Sequence, residues 1–184
     1  MLPWLSNHPG NPSGSHRLAR EARRAIDDAR DNVAALLDAE PGDVIFTSGG
    51  TESDNLAIDG VLGAKGGRAI CSAVEHPAVL EPVRDSGGII APTDATGRID
   101  FENLSFLLDS IADISLVSIM MVNNETGVIN DIDMIADLIT EKSPESFIHT
   151  DAVQATSWLD VAELSKKAHL ISLTAVSYTH LTLP

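Results

Sequence analysis

Short runs of β-branched and apolar residues alternate along this chain with longer segments whose apolar residues recur every three or four positions. No other feature constrains the fold as much. The runs 44–47, 68–73, 88–91, 114–122, 146–150 and 169–174 predict strands. The segments 15–39, from 51, around 77–86, around 131–141 and near 160–167 predict helices. In the first helix Leu18, Ala22, Ala25, Ile26, Ala29, Val33, Leu36 and Leu37 share a face, with Arg20, Arg23, Arg24, Asp27 and Asp28 elsewhere. Ser15 is expected to cap it and Pro41-Gly42 to close it. Residues 93–111 read as a looser connection. Repeated β-α-β units with apolar strands give an α/β fold, a mostly parallel sheet with helices on both faces.

With 184 residues, 43% hydrophobic and 21% charged, the chain has globular composition and can bury one sizeable core. A formal charge of −15 argues against nucleic acid and anionic membranes as partners, since both require clustered Lys and Arg. No apolar run reaches membrane-spanning length, and no basic-then-apolar leader stands at Met1, so the expected setting is soluble and cytoplasmic. The single cysteine, Cys71, excludes an internal disulfide framework and fits a reducing compartment. It lies within a predicted buried strand and reads as a small core residue rather than a nucleophile.

In parallel sheets ligands sit just beyond the carboxyl ends of the strands. Polar residues follow the apolar runs four times: Gly49-Gly50-Thr51, Glu75-His76, Asn123-Asn124-Glu125-Thr126-Gly127, and Asp151-Ala152-Val153-Gln154. Each has a plain alternative as a turn or helix cap, and Glu75-His76 could simply cap a helix starting at Pro77. All four would nevertheless gather on one sheet edge. The Gly49-Gly50-Thr51 turn opens a helix whose first amides lack partners and carry the positive end of its dipole, which suits a phosphate. No Gly-Lys-Ser/Thr follows, so it is not a nucleotide P-loop. A phosphate cradle, an aspartate, a histidine and amide side chains are the parts needed to hold pyridoxal phosphate. A metal site built from Glu75, His76, His149 and Asp151 matches no common zinc spacing.

Five segments carry a family resemblance. They are Gly10-Asn11-Pro12-Ser13 with His16, Phe46-Thr47-Ser48-Gly49-Gly50-Thr51-Glu52-Ser53-Asp54-Asn55, Glu75-His76-Pro77-Ala78-Val79, Val122-Asn123-Asn124-Glu125-Thr126-Gly127-Val128, and His149-Thr150-Asp151-Ala152-Val153-Gln154. In order and spacing the chain resembles the cysteine desulfurases of the class V aminotransferase family, in the branch that supplies sulfur for iron–sulfur clusters. The resemblance implies the large domain of a fold-type I pyridoxal-phosphate enzyme over residues 1–175. It implies that Gly50 and Thr51 bind the phosphate, with Thr174 where the family usually has a serine on it. His76 would stack on the pyridine ring and shuttle protons, Asn124 and Gln154 would contact the phenolic oxygen, and Asp151 would pair with the ring nitrogen. The family reaction takes sulfur from L-cysteine as an enzyme persulfide, leaves L-alanine, and passes the sulfur to an iron–sulfur scaffold or another acceptor. The family is dimeric.

The resemblance ends abruptly. After Leu173-Thr174-Ala175 the family pattern continues with His-Lys and a Gly-Pro-Lys-Gly turn, whereas here Ser177 stands where the Schiff-base lysine belongs. Lys65, Lys142, Lys166 and Lys167 are read as solvated surface residues. The chain is therefore expected to be a piece lacking the first strand and the small C-terminal domain, with 176–184 a read-through or expression scar, and to be inactive alone. Two alternatives stay open: a non-catalytic pairing module, and another class V enzyme such as a selenocysteine lyase or an aminotransferase.

Overall fold

The computed structural model describes Trp4 and residues 10–175. The expected foreign tail at 176–184, Ser177 included, lies outside the described residues. The chain forms two compact units, Met1–Phe46 and Thr47–Pro184.

The first unit contains α1 (Arg17–Leu37) and a single 3-10 turn at Pro41–Asp43. The cap of α1 is His16, not Ser15: its Nδ1 accepts the Ala19 N–H at 3.3 Å. The reason is the preceding turn, where Ser13 and Gly14 donate to the Oδ1 and carbonyl of Asn11, each at 3.0 Å. The helix also stops before Pro41-Gly42, because Asp38 takes a left-handed conformation (φ 52°) and donates its N–H to the Ala34 carbonyl. Residues 44–47 are not a strand. An apolar run becomes a strand only with a partner to complete its hydrogen bonds, and this one has none among the described residues. Instead Arg30 donates to the Val44 carbonyl and lies 5.0 Å over the Phe46 ring. Ile45 remains 70% exposed.

The second unit is an α/β layer structure. Its elements are α2 (Gly50–Lys65), β1 (Arg68–Ser72), α3 (Pro77–Asp85), β2 (Ile89–Ala91), α4 (Phe101–Ser110), β3 (Ile114–Ser118), α5 (Ile132–Lys142), β4 (Phe147–Asp151), α6 (Val161–Leu164) and β5 (Leu170–Ser172). The five strands form one sheet in the order β2-β1-β3-β4-β5, and every pairing is parallel. Strand β3 is buried along its whole length, as a strand covered on both faces must be. Residues of one parity, Ala69 and Cys71 of β1 and Leu116 of β3, pack with Ile58 and Val61 of α2 and Val79 and Val83 of α3. The alternate residues Ile70 and Val117 point to the opposite side and are equally buried. Right-handed crossovers put α3 on one face and α4 and α5 on the other, and α4 and α5 pack together accordingly.

Two expectations need correction here. The stretch 93–111 contains α4, whose start is capped by Asp100 accepting the Asn103 N–H at 3.0 Å. Its Leu104 and Leu108 are buried one turn apart, a spacing too short to stand out beside the polar residues around it. The predicted strand 114–122 leaves the ladder after Ser118, although Ile119 and Met121 still donate to the carbonyls of His149 and Asp151 at 3.1 and 3.0 Å.

Candidate active site

Chain order reverses between β1 and β3: the crossover from β1 runs to one side, to β2, and later ones run to the other. Such a switch point leaves a crevice beyond the strand carboxyl ends. A cavity of about 240 Å³ lies there. All the residues that the resemblance assigns to the cofactor line it. Gly50 and Thr51 come from the start of α2, His76 from the loop after β1, Asn124 from the loop after β3, Asp151 and Gln154 from the end of β4, and Thr174 from just past β5. Asp54, Met120, Val122 and Val153 complete the wall.

The start of α2 is built for an anion. Its cap residue is Gly49 in extended backbone, and no side chain caps it. The first hydrogen bond into the helix is the Ser53 N–H to the Gly49 carbonyl at 3.1 Å, so the amides ahead of it have no partner within the helix. Glu52 accepts the Ser48 N–H at 2.5 Å, and the Ser48 hydroxyl together with that N–H holds its carboxyl below the usual range. A β-carbon at Gly50 would stand 3.0 Å from Val153 Cγ2 and press on the cavity wall.

His76 does two things at once. Its Nδ1 accepts the Ala78 N–H at 3.1 Å and caps α3, which is the plain reading of this residue. Because that bond makes Nδ1 an acceptor, the neutral ring carries its proton on Nε2, and the ring still borders the cavity. The two adjacent asparagines divide their labour more sharply. Asn123 is buried and consumed by the turn: Oδ1 accepts from Glu125 N–H, Thr126 N–H and Thr126 Oγ1, while Nδ2 donates to the Val74 carbonyl. Asn124 borders the cavity.

Asp151 is buried at the tip of β4 and accepts the Val153 N–H at 2.8 Å. Burial raises its carboxyl above the ordinary range, against the pull of that N–H and of His76. The sequence reading missed the buried groups behind it. Asp54, 1% exposed on the fifth residue of α2, reaches the same wall, and burial with the nearby Asp151 charge raises it to about 7. His149 sits between hydroxyls, its Nδ1 2.8 Å from Ser118 Oγ and its Nε2 3.0 Å from Ser172 Oγ. Burial lowers it to about 4, so it is neutral. Glu75, raised to about 8 by burial, accepts from Ser72 Oγ at 2.5 Å and Met120 N–H at 2.8 Å, tying the β1 and β3 ends together. Asp54 was legible as an acid on the inward face of α2, four residues before the buried Ile58.

Cys71 is fully buried in β1, and burial pushes its thiol up to about 12, so it is an inert core residue. None of the lysines lines the cavity. Lys142, Lys166 and Lys167 pair with Asp109, Glu163 and Asp137, while Lys65 donates to the Glu145 carbonyl. Among the described residues, no group of three or more His, Cys, Asp or Glu could hold a metal ion, and no helix is long and apolar enough to cross a membrane.

A parallel sheet with an uncapped helix start, an aspartate, a histidine and amides around one crevice defines an α/β domain equipped for a phosphorylated, nitrogen-containing ring. The residues fit pyridoxal phosphate in particular: the uncapped, glycine-rich start of α2 would suit its phosphate, and the buried Asp151 carboxyl would suit a protonated ring nitrogen. The aminotransferase class-V family profile matches residues 1–165, and the chain belongs to that family of pyridoxal-phosphate enzymes. It is 40% identical over 183 residues to the cysteine desulfurase IscS of Dictyoglomus turgidum, covering 95% of this chain and 45% of that protein. It is 43% identical over 176 residues to the cysteine desulfurase IscS of Shewanella sediminis, covering 90% and 42%. The fold superimposes on a solved NifS-like protein with a TM-score of 0.87 at 30% identity, covering 94% of this chain and 49% of that one. SspA, solved in complex with cysteine, gives 0.82 at 32% identity over 94% and 51%. The chain thus spans under half the length of the curated relatives it matches.

Proposed function

We propose that this chain is the cofactor-holding portion of a cysteine desulfurase, an enzyme that takes sulfur from L-cysteine, releases L-alanine and delivers the sulfur to an iron–sulfur scaffold or another acceptor. One observation carries the reading: the residues expected from the sequence to hold pyridoxal phosphate all border a single cavity at the switch point of the sheet. The names of the relatives support the substrate, as does the cysteine complex of SspA.

When bound, the cofactor supplies an electron sink that stabilises negative charge at the substrate carbon. The chain's own residues would do the rest. The Gly50 and Thr51 amides, the Thr51 hydroxyl and Thr174 hold the phosphate at the positive end of α2. Asp151 would pair with the ring nitrogen and favour its protonated form, an interaction stronger on a buried wall than in solvent. His76 would stack on the ring with Nε2 available to hold or move a proton, while Asn124 and Gln154 would orient the phenolic oxygen. The enzyme is dimeric and cytoplasmic in this reading.

The 184-residue chain alone does not turn cysteine over, since among the described residues no lysine borders the cavity and the only cysteine is buried. Titration with pyridoxal phosphate tests the binding reading. The expected result is a changed visible spectrum, competed by inorganic phosphate and weakened in T51V and D151N. A spectrum identical to free cofactor, unaffected by phosphate, sinks it. Alanine and sulfide produced by the purified chain would refute the statement about inactivity.

A further inference from the structure

The cavity holds one acidic group that the cofactor reading leaves without a task. Asp54 lies on α2, is 1% exposed, and borders the cavity beside Asp151. Among the described residues its Oδ1 has no hydrogen-bond partner. His149 Nε2 stands 3.7 Å from that oxygen, too far for a hydrogen bond, and is already engaged with Ser172 Oγ at 3.0 Å. Ser172 lies near enough to Asp54 to favour its charged form slightly, against burial. The line is set by strand register: Ser118 of β3 is paired with His149 of β4, and Asp151 of β4 with Ser172 of β5.

Two carboxylates buried on one cavity wall resist being charged together below neutrality, and among the described residues no Lys or Arg lines this wall to offset them. The groups facing Asp54 are Asp151 and His149 from β4, Ser172 from β5, and Glu75, whose carboxyl is itself raised by burial and by both aspartates. His76 faces Asp151 and favours its charged form. The two aspartates are not equivalent. Asp151 accepts a backbone N–H at 2.8 Å, which stabilises an anion, whereas one oxygen of Asp54 receives nothing.

We propose that Asp54 and Asp151 form a buried pair sharing a single negative charge, with Asp54 the protonated member, so that Asp54 is a positioning residue that keeps Asp151 ionised toward the ring nitrogen. The second half of this statement rests on the cofactor reading above; the pair itself does not. Neutral Asp54 spares Asp151 the repulsion that would otherwise draw a proton onto it. His149, held neutral between Ser118 and Ser172, brings no positive charge to Asp54.

The test is ¹³C NMR of the aspartate carboxyls in the cofactor-free 184-residue chain between pH 5 and 9. One carboxyl is expected to titrate near neutrality in the wild type, to be absent in D54N, and in D151N to persist with its midpoint lowered by roughly one unit or more as the neighbouring charge is lost. Asp151 is expected to stay ionised throughout. An Asp54 midpoint unmoved by D151N, or a proton found on Asp151 at pH 6, overturns the pair. Should D54N fail to fold, sequence-specific assignment of the carboxyl resonances in the wild type shows which aspartate holds the proton. Titration with pyridoxal phosphate judges the cofactor reading separately. A free-cofactor spectrum beside a normally titrating Asp54 refutes that reading and leaves the pair standing.

Discussion

Asn123 Nδ2 donates to the Val74 carbonyl across 2.9 Å, joining the loop after β3 to the loop after β1 at the place where the sheet changes direction. Its neighbour Asn124 faces the cavity instead. The pair should separate stability from ligand binding. N123A leaves a part-buried carbonyl and two turn amides without their partner and is expected to cost about 2 kcal/mol in urea unfolding. N124A is expected to leave the unfolding midpoint unchanged and to weaken cofactor binding. Equal destabilisation by both would contradict this division.

His76 offers a second separation. H76A removes the α3 cap and is expected to cost ~1 kcal/mol, while H76N retains a capping side chain and most of that stability. Both variants lose the ring that borders the cavity, so both should bind pyridoxal phosphate less tightly. Full binding by H76N would remove stacking from the role of His76.

Stability should fall as pH rises from about 6.5 to about 8. Asp54 is raised from an ordinary 3.8 to about 7 and Glu75 from 4.5 to about 8, so in this window the folded chain holds protons that the unfolded chain has already released. His149, lowered from 6.5 to about 4, acts in the opposite sense, but only below about 6.5. Thermal midpoints across pH 6–9 check this, and the decline should be shallower in D54N. A midpoint that climbs with pH over the same range contradicts the assignment of protons.

Cys71 should not react with a thiol reagent until the chain unfolds, because its sulfur is fully buried and its thiol pushed up to about 12. The measurement is the rate of labelling with and without urea. Fast labelling of the native chain would mean that β1 is open.

The sheet and the cavity were legible because their signals are local. Apolar runs such as 68–73 and 146–150 become strands wherever both neighbours are also strands, and the ligand-facing residues follow directly after them. What escaped the sequence depends on partners distant along the chain. Residues 44–47 have the composition of a strand and lack one to pair with, and the short α4 hides its two buried leucines among polar residues. The Ser118–His149–Ser172 line, and the approach of His149 to Asp54, were invisible because they need the register of three strands and the rotation of α2, none of which a pattern of residue types encodes. The caps show the same limit at small scale: Ser15 and His16 are both capable, and the Asn11 turn decides between them.

Strand β3 occupies the middle of the sheet, yet it pairs Ile114 with Arg68 across a long intervening stretch of chain. During synthesis β1 and β2 can dock early, because only α3 separates them. The other edge of β1 must then wait, with its backbone groups unpaired, until β3 has emerged. Until that moment it offers a template to any passing strand. The order of assembly therefore runs from the β2 rim, through the centre, to the β5 rim, and a pause in translation before Ser118 would leave the chain in its most adhesive state.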